Sequence, residues 1–250
     1  MSRVNAFAYT QARLQARHSR RPGPGDWERL ERVSDFGHYI QSARGTGLEP
    51  WVRHIGTTSP AHEVERGLRN AFRQDIEAVA AWPPTDWRPP LLWVRSLLEL
   101  PILHHLLQER PTLDWMTYLP ETGPASRRSP EAQHRPLEGS NLAPLLPGPG
   151  REGPPLDNWV RQWHRLMPPA PEGHLAGLRQ MEAVLRRYRD GVARGEPEAD
   201  RALETGLSRL FRRHAARPAA AYAHLGLLAL DIQRLRAGLL RRRLFGGGAA

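Results

Sequence analysis

"SPAHEVERGLRNAFRQDIEAVA", residues 59–80, is the stretch on which the fold turns. Val64, Leu68, Phe72, Ile76 and Val79 recur at steps of four and three, which places them on one face of a helix. Glu63, Glu65, Arg66, Arg69, Arg73 and Glu77 fall largely off that face. Ser59 followed by Pro60 reads as an N-cap with proline at the first helical position. "WPPTDWRPP" at 82–90 stops the helix, because consecutive prolines can neither donate nor continue it.

The same spacing recurs on both sides. Residues 4–20 predict a first helix, stopped by "RPGPG" at 21–25. Asp26 is expected to cap a second, with Trp27, Leu30, Val33 and Ile40 near one face. "ARGTGLEPW" at 43–51 breaks it, with Leu48 and Trp51 packing inward. The apolar run "LLWVRSLLELPILHHLL" (91–107) is kinked or divided at Pro101.

From 120 to 155 proline and glycine dominate, which predicts a linker or a long, partly ordered loop. An amphipathic helix over 156–167 follows it. Next, 173–194 carries Leu175, Leu178, Met181, Leu185, Tyr188 and Val192, and 198–214 carries Leu203, Leu207, Leu210 and Phe211. "RGEPE" between them suits an antiparallel hairpin. Pro218 opens a last long helix with Leu225, Leu228, Ile232, Leu235, Leu239 and Leu240 apolar, ending at "GGG" 246–248. Strand alternation is found over no useful length. The expected fold is all-α, with bundle-like or orthogonal helical lobes at 1–119 and 157–250 joined by a Pro/Gly-rich linker at 120–156. The first and last helices are expected to pack together.

Composition narrows the function classes. A hydrophobic share of 40% with five Tyr and five Phe is lean for one large core, although eight Trp compensate in part. The net charge of +10 invites an anionic partner. All 36 basic residues are arginine, however, so coding bias accounts for the balance as readily as nucleic-acid binding does. With no cysteine, disulfides, thiolate metal sites and Cys nucleophiles are excluded. The N-terminal residues lack a signal-peptide core. The run "AAAYAHLGLLALDI" (219–232), interrupted by His224 and Asp231, is too short to span a bilayer. A cytoplasmic location is expected.

No catalytic motif emerges. GxSxG is missing, the proline-bearing "RPGPGD" and "LPGPGRE" lack the N–H donors of a phosphate loop, and eleven histidines show no HExxH or Glu-x-x-His spacing. His104 and His105 diverge on a helix, while His214 and His224 straddle a proline; core-edge or solvent-facing roles are expected. Neither a cofactor nor a metal is implied. Asp75 predicts an ion pair one helical turn away, and Asp231, an acid within an apolar run, predicts an arginine partner from another helix such as Arg13 or Arg17. Arg234, Arg236, Arg241, Arg242 and Arg243 spread around the last helix without interleaved aromatics. A solvated, partner-facing helix is the economical expectation, with a nucleic-acid face as the alternative.

The two ends of the chain together carry a resemblance. "FAYTQARLQARHSRR", through Tyr9, Ala12, Arg13, Ala16, Arg17 and Ser19, resembles the opening helix of the C/d family of A/V-type rotary ATPases, whose members form part of the central stalk. Pro218, Tyr222, Asp231, Ile232, Leu235 and Arg236 are similar to the closing helix of that family. "WERLERVSDFGHYIQSARGTGLEPWV" before the helix containing "HEVERGLR" is similar in layout. The resemblance covers about residues 4–80 and 175–245; the chain is shorter than typical members, and 120–156 stands where the family has packed helices. It implies a divergent, reduced member: a non-catalytic adaptor linking the rotary shaft to the membrane rotor ring, peripheral to the inner face of the membrane. Tyr9, Arg13, Arg17, Tyr222, Asp231, Arg234 and Arg236 are its candidate structural or interface residues.

Overall fold

A computed structural model describes residues 6–129 and 132–245. Among the described residues there are helices and no strand, so the fold is all-α. Helices α1 (Ala8–His18), α2 (Pro24–Arg32), α3 (Phe36–Arg44), α4 (Glu49–Val52) and α5 (Ala61–Ala80) come first. Short pieces follow, α6 (Arg88–Leu92), α7 (Leu100–Leu107), α8 (Gly123–Ser126) and α9 (His134–Glu138), interleaved with 3-10 turns. Then come α10 (Pro155–Leu166), α11 (Glu172–Ala193), α12 (Ala199–Arg213) and α13 (Pro218–Phe245). Residues 4 and 5 of the expected first helix, and the glycines expected to end the last one, lie outside the described residues.

The chain forms two compact units whose boundaries differ from the expected three-part division. One runs to Arg88 and resumes at Pro169; the other spans Pro89–Pro168. The cause is that α1 and α5 pack on α13, tying the two ends of the chain into one core.

In that first unit α13 is the central element. Eight consecutive residues, Pro218 to Leu225, are all buried, so this part of the helix is covered on every side. Ala219, Ala220, Ala221 and Ala223 are buried on this helix, which packs on α5, α11 and α12. The expected stripe of α5 is buried in full, Val64 through Val79. On α12, Leu203, Leu207, Leu210 and Phe211 are buried. Leu185 and Val192 of α11 are instead exposed, because this hairpin packs by Leu178 and Met181. The hairpin turn uses Gly195 at φ 69°, a backbone conformation that glycine adopts at little steric cost.

Two caps differ from expectation. The Ser59 hydroxyl accepts from the Gly56 N–H (3.1 Å) and does not cap α5, which begins at Ala61 after extended Pro60. The expected single second helix is divided at 33–35 into α2 and α3. Asp35 ends the continuity by accepting from the His38 N–H at 2.8 Å, the N-cap bond of α3. Asp26 lies within the first turn of α2 and accepts from the Gly23 N–H.

The second unit includes the segment expected to be a linker. Leu137, Leu142, Leu145 and Leu146 are buried there, in company with Leu103 and Leu106 of α7. The Trp159 indole donates to Ser96 Oγ (2.9 Å), and the Trp93 indole donates to the Trp159 carbonyl (3.1 Å). Asn158 of α10 donates to the Leu145 carbonyl (3.1 Å). Four apolar side chains in a Pro/Gly-rich stretch are enough to seat it in a core, since each buried leucine contributes about 2 kcal/mol. Pro101 stands in the first turn of α7 and divides the apolar run 91–107, as expected.

Gly47 tests the packing of the first unit. A Cβ there would lie 1.7 Å from the Arg20 carbonyl oxygen, a backbone atom that cannot turn aside. Gly47→Ala is expected to lower stability by about 3 kcal/mol. Gly25→Ala, on the open face of α2 with nothing within 4 Å, is expected to raise it by about 0.5–1 kcal/mol. Denaturant midpoints of the two variants check the contrast.

Candidate functional site

The inward face of α1 reads Phe7, Leu14, His18 and then Arg21 just beyond the helix end. Arg21 turns into the core and forms a two-point pair with Asp231 of α13: Nε to Oδ2 at 2.6 Å and an Nη to Oδ1 at 2.9 Å. Glu204 of α12 lies 3.5 Å from the same guanidinium. Burial pushes the Asp231 carboxyl above the ordinary carboxylate range, and the two Arg21 hydrogen bonds oppose that shift. The predicted cross-helix arginine partner exists, but it is Arg21 and neither Arg13 nor Arg17. Both of those point out from α1 toward Trp82.

One turn along, His18 stacks on Phe211 (centroids 4.3 Å apart) and meets His224 edge-on at 6.1 Å. His224 is fully buried, unlike the core-edge placement expected of the histidines, and neither ring nitrogen has a hydrogen-bond partner among the described residues. Burial, reinforced by the nearby His18, Arg17 and Arg21, lowers its pKa to about 3. It is a neutral ring in an apolar slot.

The outward side of α1 builds a second assembly. The Arg13 and Arg17 guanidiniums lie 5.3 and 5.4 Å from the Trp82 ring centre. Arg17 donates to Asp75 Oδ1 at 2.8 Å, and the Trp51 indole donates to Oδ2 at 2.6 Å. The expected partner of Asp75 one turn away on α5 is thus replaced by two groups from other helices. The reason is packing: Asp75 borders the buried stripe, within reach of α1 and of α4, which packs on α5. Burial raises the Asp75 carboxyl, against the pull of the indole and the guanidinium. A recess of about 190 Å³ opens beside it, lined by Arg17, Pro50, Trp51, Arg53, His54 and Gln74 among others. Tyr9, 60% exposed, stands further along α1.

Of the arginines spread around α13, Arg234, Arg236, Arg241 and Arg243 are exposed, as the sequence predicts, whereas Arg242 is buried, and most of them also reach partners within the chain. Arg234 lies 4.7 Å over the Trp27 ring and pairs with Glu31. Arg236 pairs with Glu65, and Arg243 donates to the Thr58 carbonyl, which sets α13 antiparallel to α5. Arg242 is buried; it donates to the carbonyls of Leu30 and Glu31 at the end of α2 and lies 4.0 Å over the Tyr39 ring. Gly238 makes room for that ring, since a Cβ there would lie 2.2 Å from Tyr39 Oη.

Of the seven candidates, Arg13, Arg17 and Tyr9 share the outward side of α1. Asp231, Arg234 and Arg236 tie α13 to other elements, and Tyr222 is buried inside. Reasoning from sequence missed Arg21, Trp51, Trp82 and Arg242. A signal existed for two of them: Arg242 continues the Ile232, Leu235, Leu239 stripe at the next inward step, and Arg21 lies two turns beyond Leu14. Among the described residues no group of three His, Asp or Glu side chains is placed to hold a metal ion.

Asp231→Ala removes the two-point pair, leaves the buried Arg21 with the more distant, exposed Glu204, and is expected to lower stability by about 3 kcal/mol. The double variant Arg21→Met/Asp231→Leu should recover most of that loss in the same denaturation assay. His224 predicts acid sensitivity. Its folded pKa lies below the unfolded 6.5, so the unfolded chain takes up the proton first. Its contribution is whole above pH 6.5 and is lost as pH falls towards 3, by roughly 2 kcal/mol at pH 5. His224→Phe should flatten that part of a stability–pH profile. No family model, curated protein or solved structure matches this chain.

Proposed function

We propose that this chain is a non-catalytic helical adaptor, a reduced relative of the C/d family of rotary-ATPase stalk proteins, linking a rotary shaft to a membrane rotor ring. The observation that carries the reading is the use made of the resemblance residues. Arg17 and Asp231 are spent on contacts that join α1, α5 and α13, the elements at the two ends of the resemblance. That suits a scaffold whose helices must transmit force without sliding.

The outward face of α1 supplies a docking surface in this reading. Tyr9, Arg13, Arg17 and Trp82 place aromatic rings and guanidiniums side by side, the residue types that dominate protein interfaces. No helix among the described residues is long and apolar enough to cross a membrane, which is compatible with attachment through partner proteins on the cytoplasmic side. The arginines of α13 that would serve a nucleic-acid face are mostly engaged with Glu31, Glu65 and backbone carbonyls of the chain itself, so the adaptor reading is preferred.

The test is affinity purification of the tagged chain from membranes of its own cells, followed by mass spectrometry. Rotary shaft and ring proteins are expected, and Arg13→Ser with Tyr9→Ser should reduce their recovery about thirtyfold. Recovery of nucleic acid that is released by raised salt, without those proteins, would overturn the reading.

A further inference from the structure

The far end of α13 carries a feature the adaptor reading does not use. Leu244 is 62% exposed and Phe245 is 78% exposed, consecutive large apolar side chains on the last turn described. Around them stand Arg32, Arg241 and Arg243. Arg32 and Arg241 make no hydrogen bond or ion pair among the described residues, and Arg243 reaches only the Thr58 carbonyl and the Phe36 ring. A recess of about 260 Å³ lies between this turn and the end of α2, lined by Glu31, Arg32, Val33, Ser34, Arg241, Arg242 and Phe245. Glu31, the acid that lines the recess, is already paired with Arg234, and Asp35 accepts from the His38 N–H at the α3 N-cap.

We infer that this tip is a docking surface for an anionic phospholipid bilayer, with Leu244 and Phe245 entering the interface and the arginines holding headgroup phosphates. Charge complementarity selects the occupant. Among the described residues, Arg32, Arg241 and Arg243 make no ion pair, Glu31 being held by Arg234, on a chain of net charge +10. Two bulky apolar groups stand exposed on the same turn, the combination that gives peripheral binding its apolar and its electrostatic part. Arg242 contributes by holding the end of α2 against α13, which fixes Arg32 beside Arg241. The opposite end of α5, about 30 Å away at 1.5 Å per residue, carries Trp82 and the outward face of α1, so lipid and protein would be engaged at separate ends of one unit.

Co-sedimentation of the full chain with protein-free vesicles tests this. Vesicles of phosphatidylcholine mixed with phosphatidylglycerol are expected to bind it, and phosphatidylcholine alone to bind at least about tenfold less. Arg241→Ser should weaken binding about fivefold, as should Arg32→Ser. Leu244→Ser with Phe245→Ser should weaken it at least about tenfold. Phe245→Trp, which keeps an aromatic wedge, should bind like the native chain, and a native circular-dichroism spectrum excludes misfolding as the cause of any loss. Equal binding to neutral vesicles, no binding to either, or binding unaffected by the tip variants would overturn the inference. Because the vesicles contain no protein, that failure would leave the adaptor reading untouched, and failure to recover rotor proteins would leave this one untouched.

Discussion

A carboxylate in the middle of an apolar helix sets the terms for the larger unit. Asp231 lies on α13 where neighbouring helices exclude water, and a buried charge without a partner is strongly destabilising. Arg21 is the answer, and reaching Asp231 requires the chain to leave α1 in one direction only. The turn that follows must then pass close to Gly47, where there is no space for a side chain. Register of α1 on α13, the path of the 19–23 turn and the position of α2 are linked through that one pair. Gln11 adds a second tie from α1, accepting from the Ala216 N–H in the turn before α13.

Arginine does the polar work of this protein. Its planar guanidinium can donate to several acceptors and stack on a ring at once, which an ammonium cannot. Arg242 shows the consequence: one side chain caps the end of α2, touches the Gly238 carbonyl of its own helix and lies over Tyr39. Arg234 and Arg17 each combine an ion pair with a tryptophan face. A high net charge in such a chain therefore overstates the positive surface left for partners. What remains free is local, and the tip of α13 is one such place.

Helix positions were legible because their signal is local. The α5 stripe and the leucines of α12 follow a period of 3.6 residues, and their burial needs only a neighbour, whichever it is. The candidate site was half legible. Asp231 stood out as an acid among apolar residues, and its need for an arginine followed from electrostatics alone. Which arginine could not be read, because Arg13, Arg17 and Arg21 differ in direction around α1 and its exit, and only the packing of the helices around α1 separates them. Arg242 was hidden by its neighbours: three arginines in a row look solvated, although the middle one occupies a core step. The leucines of 137–146 were hidden in the same way by surrounding prolines and glycines.

The amino-acid order by itself determined that this protein is helical, that it has no thiol chemistry, and that the helix containing Asp231 needs a cation from elsewhere. Those properties depend on residue type and on spacing within one element. Tertiary structure decided which ends meet, that the Pro/Gly-rich segment joins a second compact unit, and which arginines are consumed and which face solvent. Each of those outcomes depends on contacts between residues far apart in the chain, such as the 210 positions between Arg21 and Asp231, and helical periodicity carries no information over that distance.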